Sequence, residues 1–152
     1  MKYKIGHNCI IHPDTEIGEG TVIRDNVEIR KGVKIGKNCL IDSGVIMTGD
    51  AVIEDFVTIR NHVVIARGSF IGKGSFISPQ VMFNNLDLGE NNPKSIGGAQ
   101  IGRNCKIGTQ CVLHHGIKIT DGVTVGACTF IRADILEPGT WIRPEADLVK
   151  IK

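Results

Sequence analysis

Two kinds of side chain in this sequence could carry chemistry. Five histidines, His7, His12, His62, His114 and His115, can exchange a proton near neutral pH. That is the help a hydroxyl acceptor needs before it can attack a carbonyl. The run "FNNLDLGENNP" at 83–93 offers amides and a few acids instead, groups that hold a polar ligand by hydrogen bonds. An amine less basic than that of lysine is already partly neutral slightly above pH 7. An uncharged group that orients it then suffices, and a strong base is optional. Five cysteines invite a metal or disulfide reading, but no CxxC occurs, so neither zinc nor a redox pair is indicated.

The elements that must position these groups follow from a repeat. From Ile5 the chain divides into hexads, "IGHNCI", "IHPDTE", "IGEGTV" and onward, 13 of them to residue 82 and six more over 101–136. The first position of the 19 holds 16 Ile plus Met47, Leu113 and Val125, and the fifth holds only small or β-branched residues or Cys. A helix with 3.6 residues per turn would smear such a pattern around its cylinder. Short β segments keep it, because positions five and one of the next hexad lie two apart and face the same side. Three sides then close a triangular coil of about 18 residues, and stacked coils about 4.8 Å apart share a continuous Ile column. Bends are marked at position four, where 14 of 19 residues are Gly, Asn or Asp, the types that tolerate positive φ. Phe56, His62, Gln80, Gln110 and Cys128 are the exceptions. Cys9, Cys39, Cys105 and Cys111 all stand at the small fifth position, which makes them compact buried fillers. Cys128 sits on a bend.

Composition excludes several classes. A formal charge of +2 with no run of five like charges does not suit a nucleic-acid surface. No apolar stretch is long enough for a membrane-spanning helix, and "MKYKIGHNC" lacks the core of a signal peptide. A cytoplasmic protein is the expectation.

The pattern [Ile/Val/Leu]-Gly-x-x-[Ser/Thr/Ala/Val/Cys]-x resembles that of the hexapeptide-repeat acyltransferases, and 5–136 fits it. The resemblance implies an all-β fold, a left-handed parallel β-helix over 1–136 with one protruding loop at about 83–94 and a short C-terminal cap at 137–152. The left hand comes from the resemblance alone, since the general crossover rule favours the right. A narrower match surrounds the interruption. "IRNHV", "FNN" and "GAQIGRN" follow one another in the order and spacing of "IQNNV", "FTN" and "GATIGAN", segments of the acetyltransferases that N-acetylate nucleotide-linked amino sugars.

That narrower resemblance implies a homotrimer working in surface-polysaccharide or glycan synthesis, with acetyl-CoA as donor and no metal. It places Asn85 at the acceptor amine as the catalytic contact, Asn84 beside it, and Asp87 on a sugar hydroxyl. His62, which stands where the family has a second Asn, becomes a further catalytic candidate. The coenzyme arm is expected along backbone near Ala99, Gly116 and Ala127, with Arg143 at the tail. The tail "WIRPEADLVKIK" departs from the family's "VxGNPA", which loosens the last of these assignments. O-acetylation with His62, His114 or His115 as base, and a non-enzymatic solenoid, are the competing readings. A γ-class carbonic anhydrase needs its last two histidines five apart, whereas His114 and His115 are adjacent.

The hexad frame adds one geometric expectation. Residues 83–100 number 18, one coil's worth. Hexads beginning at 59, 77, 95 and 113 should therefore share one side. His62 would then lie on the side of His114 and His115, roughly 14 Å away along the axis.

Overall fold

The computed structural model describes residues 2–85 and 97–143. Residues 86–96, with Asp87 and most of the expected loop, and 144–152 of the expected cap lie outside them. The described chain forms 21 short strands and no helix. Every strand pairing is parallel, and the strands sort into three sheets of eight, seven and six.

Successive strands pass from face 1 to face 2 to face 3 and return, so each coil of the prism uses one strand from each. Face 1 carries Leu40–Ile41, Thr58–Ile59 and Phe76–Ile77; face 2 carries Ile46–Met47, Val64–Ile65 and Met82–Phe83; face 3 carries Val52–Ile53 and Phe70–Ile71. The first-position side chains point inward and stack. Ile41, Met47, Ile59, Ile65, Ile71, Ile77, Ile101, Ile107 and Leu113 are fully buried. Removing one to Ala would leave a cavity in a close-packed column, at a cost of about 2–5 kcal/mol.

Small inward residues complete each layer. Ser75 Oγ donates to Gly102 O (2.8 Å) and accepts from Cys105 N (2.9 Å), so its burial leaves no polar atom unpaired. Cys39, Cys105 and Cys111 fill the same position, and burial pushes each thiol pKa above its ordinary value. Cys128 is exposed. Alkylation of the native protein is expected to label Cys128 rapidly and Cys39, Cys105 and Cys111 only as fast as the chain unfolds. Intact-mass measurements with and without denaturant check this; fast native labelling of the three would contradict their packing role.

All the bend positions except Asp14 and Asp134 take positive φ, whatever residue stands there. Phe56, His62, Gln80, Gln110 and Cys128 all adopt φ between 57° and 60°, like the Asn residues at equivalent places. Stacking overrides the local preference, which disfavours such residues there by about 1–2 kcal/mol.

The interruption differs from the expected count. Ladder partners in the regular coils stand 18 residues apart, as in Ile59↔Ile77 and Ile65↔Met47, and 16 apart only in the last pairings, as in Val125↔Trp141. Across the break they stand 30 apart on all three faces: Ile71↔Ile101, Ile77↔Ile107 and Phe83↔Leu113. The excess is 12 residues, not a whole coil. Phe83 is the reason: it is buried within its strand and fills the Ile column, so it closes face 2 and does not begin the loop. The detour leaves from the corner between faces 2 and 3, after Asn85, and returns at Gly97.

After Ile131 the chain continues through an Ile119↔Ile135 bridge. Gly139–Trp141 then adds an eighth strand to face 1, beside Val123–Val125. Trp141 sits over the end of the column, next to Val125, Ile131 and Ile135, where a cavity of about 470 Å³ opens.

Candidate active site at the loop corner

Face 2 fixes the site by register. Met82 and Phe83 pair with Val112 and Leu113, and Asn84 N donates to Leu113 O at 2.9 Å. The next residues of the two coils are therefore Asn84 and Asn85 beside His114 and His115, one coil step or about 4.8 Å apart. All four are half-buried. The imidazoles of His114 and His115 lie 4.0 Å apart between ring centroids, and His114 packs 6.1 Å from Phe130. Two amides and two imidazoles thus converge at the point where the detour leaves the prism. Amides can orient a neutral acceptor, and an imidazole can take its proton.

Glycines shape the return. Gly97 has φ 84°, and a Cβ on Gly98 would collide with Ser69 Oγ at 1.9 Å. Gln100 Nε2 donates to Gly68 O and Gly98 O at 2.9 and 3.0 Å, tying the returning strand to the coil before it. Gly98 N donates to Arg67 O at 2.8 Å. Arg67 occupies the preceding coil of the same corner, because Val64 pairs with Met82. Its Nε lies 3.3 Å from Asp50 Oδ2.

His62 stands elsewhere. Its hexad starts on face 1, so it occupies the corner between faces 1 and 2, with Gln80, Gln110 and Cys128 above it in successive coils. The expectation that it shares a side with His114 and His115 fails because the insertion is 12 residues long, which shifts the later coils by one face. His7 pairs with Asp25 at 3.3 Å and His12 pairs with Asp14, both in the first coils.

The four residues expected along the coenzyme arm do not line one surface of a single chain. Ala99 is buried, and its carbonyl already accepts from Phe70 N at 3.0 Å. Gly116 lies on the loop corner with φ 64° and open space around its Cα. Ala127 belongs to the corner between faces 1 and 2, against Gly108. Arg143 borders the terminal cavity beside Trp141. Asp87 lies outside the described residues.

Sequence reasoning did not single out Arg67 or Gly49. Arg67 was within reach: it stands 18 residues, one regular coil, before Asn85.

Residues 5–85, 81 of the 152, match the family model of the GMPPB C-terminal domain, and residues 98–133 match that of the bacterial transferase hexapeptide (six repeats). The gap between the two matches, 86–97, is as long as the 12-residue insertion. No curated protein matches the sequence. Among solved structures, PerB from Caulobacter crescentus in complex with CoA and GDP-perosamine superposes with a TM-score of 0.63 at 17% identity, covering 96% of this chain and 58% of that one. A mutant of AntD, an N-acyltransferase from Bacillus cereus, in complex with dTDP-4-amino-4,6-dideoxyglucose and coenzyme A gives 0.64 at 17%, covering 97% and 82%. The acetyltransferase domain of PglB from Neisseria gonorrhoeae in complex with acetyl coenzyme A gives 0.57 at 20%, covering 93% and 55%. This chain thus spans less than two thirds of the PerB and PglB chains. At these identities the likeness concerns the fold, a left-handed parallel β-helix of hexapeptide repeats.

Proposed function

This chain belongs to the family of the GMPPB C-terminal domain and carries the bacterial transferase hexapeptide in its second half, and from that premise we propose that it moves acetyl from acetyl-CoA to the amino group of a nucleotide-linked deoxyamino sugar. The carrying observation is the register that sets Asn84 and Asn85 beside His114 and His115 where the insertion departs. The binding of CoA and nucleotide-linked amino sugars by PerB and AntD supports the same substrate pair.

In this reading Asn85 accepts a hydrogen bond from the amine and aims its lone pair at the thioester carbonyl. The nitrogen–carbon bond forms as the carbon–sulfur bond breaks. The proton shed by the nitrogen ends on the departing CoA thiolate, with an imidazole of His114 or His115 as carrier. Gly116, with no side chain beside the histidines, leaves room for the pantetheine arm. His62 can take part only from a second subunit.

A homotrimer is part of the proposal, and face 2 supports it. Its outward positions read Ile10, Glu28, Ile46, Val64, Met82, Val112 and Phe130, an apolar ladder with one break. Met82 and Phe130 are 44% and 53% exposed in the single chain, as expected of a surface that another subunit covers. Faces 1 and 3 place Lys4, Lys106, Glu16, Lys34 and Lys118 at the corresponding positions.

Thiol release from acetyl-CoA across a panel of nucleotide-linked amino sugars, with mass analysis of the product, tests the proposal. Turnover with at least one amino sugar and a product heavier by one acetyl group is expected; no turnover across the panel would overturn it. The two histidines favour one alternative, transfer to a sugar hydroxyl. There His114→Ala or His115→Ala should lower the rate by about 10²–10⁴, and the matching deoxyamino substrate should be no better than its hydroxyl counterpart.

A further inference from the structure

A cavity of about 510 Å³ opens on the loop corner toward the N-terminal end of the prism. Ile10 and Pro13 line it from the first coil, Arg30 and Lys31 from the second, Thr48 from the third and Arg67 from the fourth. Its walls thus combine apolar side chains with the cations Arg30, Lys31 and Arg67, with His12 and Thr48 among them, and no carboxylate lines it. Acids outside the lining pair with several of these groups. Glu28 pairs with Arg30 at 2.7 Å, Asp50 with Arg67 at 3.3 Å, and Asp14 with His12. Lys31 makes no ion pair among the described residues. Ion pairs as exposed as these contribute little. A diphosphate, with two negative charges over its two phosphates, forms shorter, charge-assisted hydrogen bonds with the same cations that outcompete them.

The backbone is reshaped at the same place. Gly32 and Gly68 each supply the single left-handed residue of their corner, with φ 77° and 71°. Between them Gly49 and Asp50 take positive φ in succession, 127° and 45°. A φ near 127° is open only to glycine. A Cβ on Gly49 would lie 3.1 Å from Lys31 O and 3.4 Å from both Arg67 Nε and Nη2. The Arg67 guanidinium thus lies against Gly49, whose other near neighbour is the backbone carbonyl of Lys31, one coil before it.

We infer that this cavity holds a nucleoside diphosphate, with its diphosphate between Lys31 and Arg67 and its nucleoside against Ile10 and Pro13. The inference rests on the function proposed above and names the end of the substrate that function leaves unplaced. Arg67 precedes Asn85 by one coil, about 4.8 Å. A sugar linked to the second phosphate therefore extends from Arg67 toward the amides and imidazoles of the same corner.

CoA also carries a diphosphate on a nucleoside, so the test separates the two sources. The full chain is titrated calorimetrically with dTDP, UDP and GDP, and in parallel with CoA. Wild type is compared with Lys31→Ala, Arg67→Ala and Arg67→Lys. At least one nucleoside diphosphate is expected to bind wild type, tenfold or more weakly in each Ala variant, the loss of about one charge-assisted hydrogen bond. Arg67→Lys should keep part of the affinity, and CoA binding should stay within about twofold. Both side chains are exposed, and unchanged melting temperatures show that each variant folds. Three results would overturn the inference: no diphosphate binds wild type, both Ala variants bind it unchanged, or the variants lose CoA instead. The two readings can fail separately. Diphosphate binding with the expected losses but no acetyl transfer to any amino sugar sinks the function alone; transfer by wild type with diphosphate affinity unaltered in both Ala variants sinks this inference alone.

Discussion

Asn85→Ala should lower kcat/KM for amine acetylation by about 10²-fold or more while the melting temperature stays close to wild type. The magnitude is that of a misplaced acceptor: an amine that loses its orienting partner leaves attacking distance, and errors near 1 Å cost about 10²-fold. Stability should persist because Asn85 belongs to neither the Ile column nor its small partners. Asn84→Ala should cost less, since the Asn84 backbone amide already holds the strand end to Leu113 and survives the substitution. Steady-state kinetics with the best substrate of the panel, beside a thermal melt, check both. If turnover is unchanged in Asn85→Ala, that amide has no part in the reaction and the acceptor sits elsewhere.

The second large effect concerns assembly. Met82→Asp or Val112→Asp should convert the proposed trimer to single subunits and abolish turnover. The two residues are ladder partners on face 2, both exposed in the single chain. A carboxylate in the middle of a covered apolar face is buried without a partner, which costs about 3–5 kcal/mol. The outward position carries none of the inner column, so each subunit should keep its β-rich circular dichroism. Lys106→Asp, at the corresponding position on face 1, serves as control and should leave both mass and activity in place. Sedimentation analysis reads the outcome. A trimer that survives both substitutions on face 2 assembles through another surface, and the shared cleft would have to be abandoned with it.

How much of this was legible before the structure depends on where the information lies. The prism is written in local spacing: an inward Ile every six residues and a small partner two before it define the faces without any knowledge of neighbours. The bends were legible also, and the structure adds that Phe56, Gln80 and Gln110 take the same left-handed backbone as Asn, since stacking on the coil below decides it. Register across the interruption was not legible. Phe83 does not look like the Ile it replaces, and a count that starts the break there turns a 12-residue insertion into a coil of 18. That miscount alone moved His62 onto the corner of His114 and His115. The partnership of Asn84 and Asn85 with His114 and His115 depends on the same number, so it surfaced only when the ladder Phe83↔Leu113 was seen. Gly49 was hidden for a different reason. A glycine beside a bend looks ordinary, and its meaning lies in Lys31 and Arg67, 18 residues away on either side.

A crystal structure of the assembled protein with CoA and the acetylated amino sugar of the best substrate tests the central claim most directly. The account predicts the amide nitrogen of the sugar within hydrogen-bonding distance of Asn85, the CoA sulfur facing it across His114 or His115, and both ligands in a cleft walled by a second subunit. A sugar seated instead on the corner of His62 and Gln80, or within a cleft built from one chain alone, would contradict it.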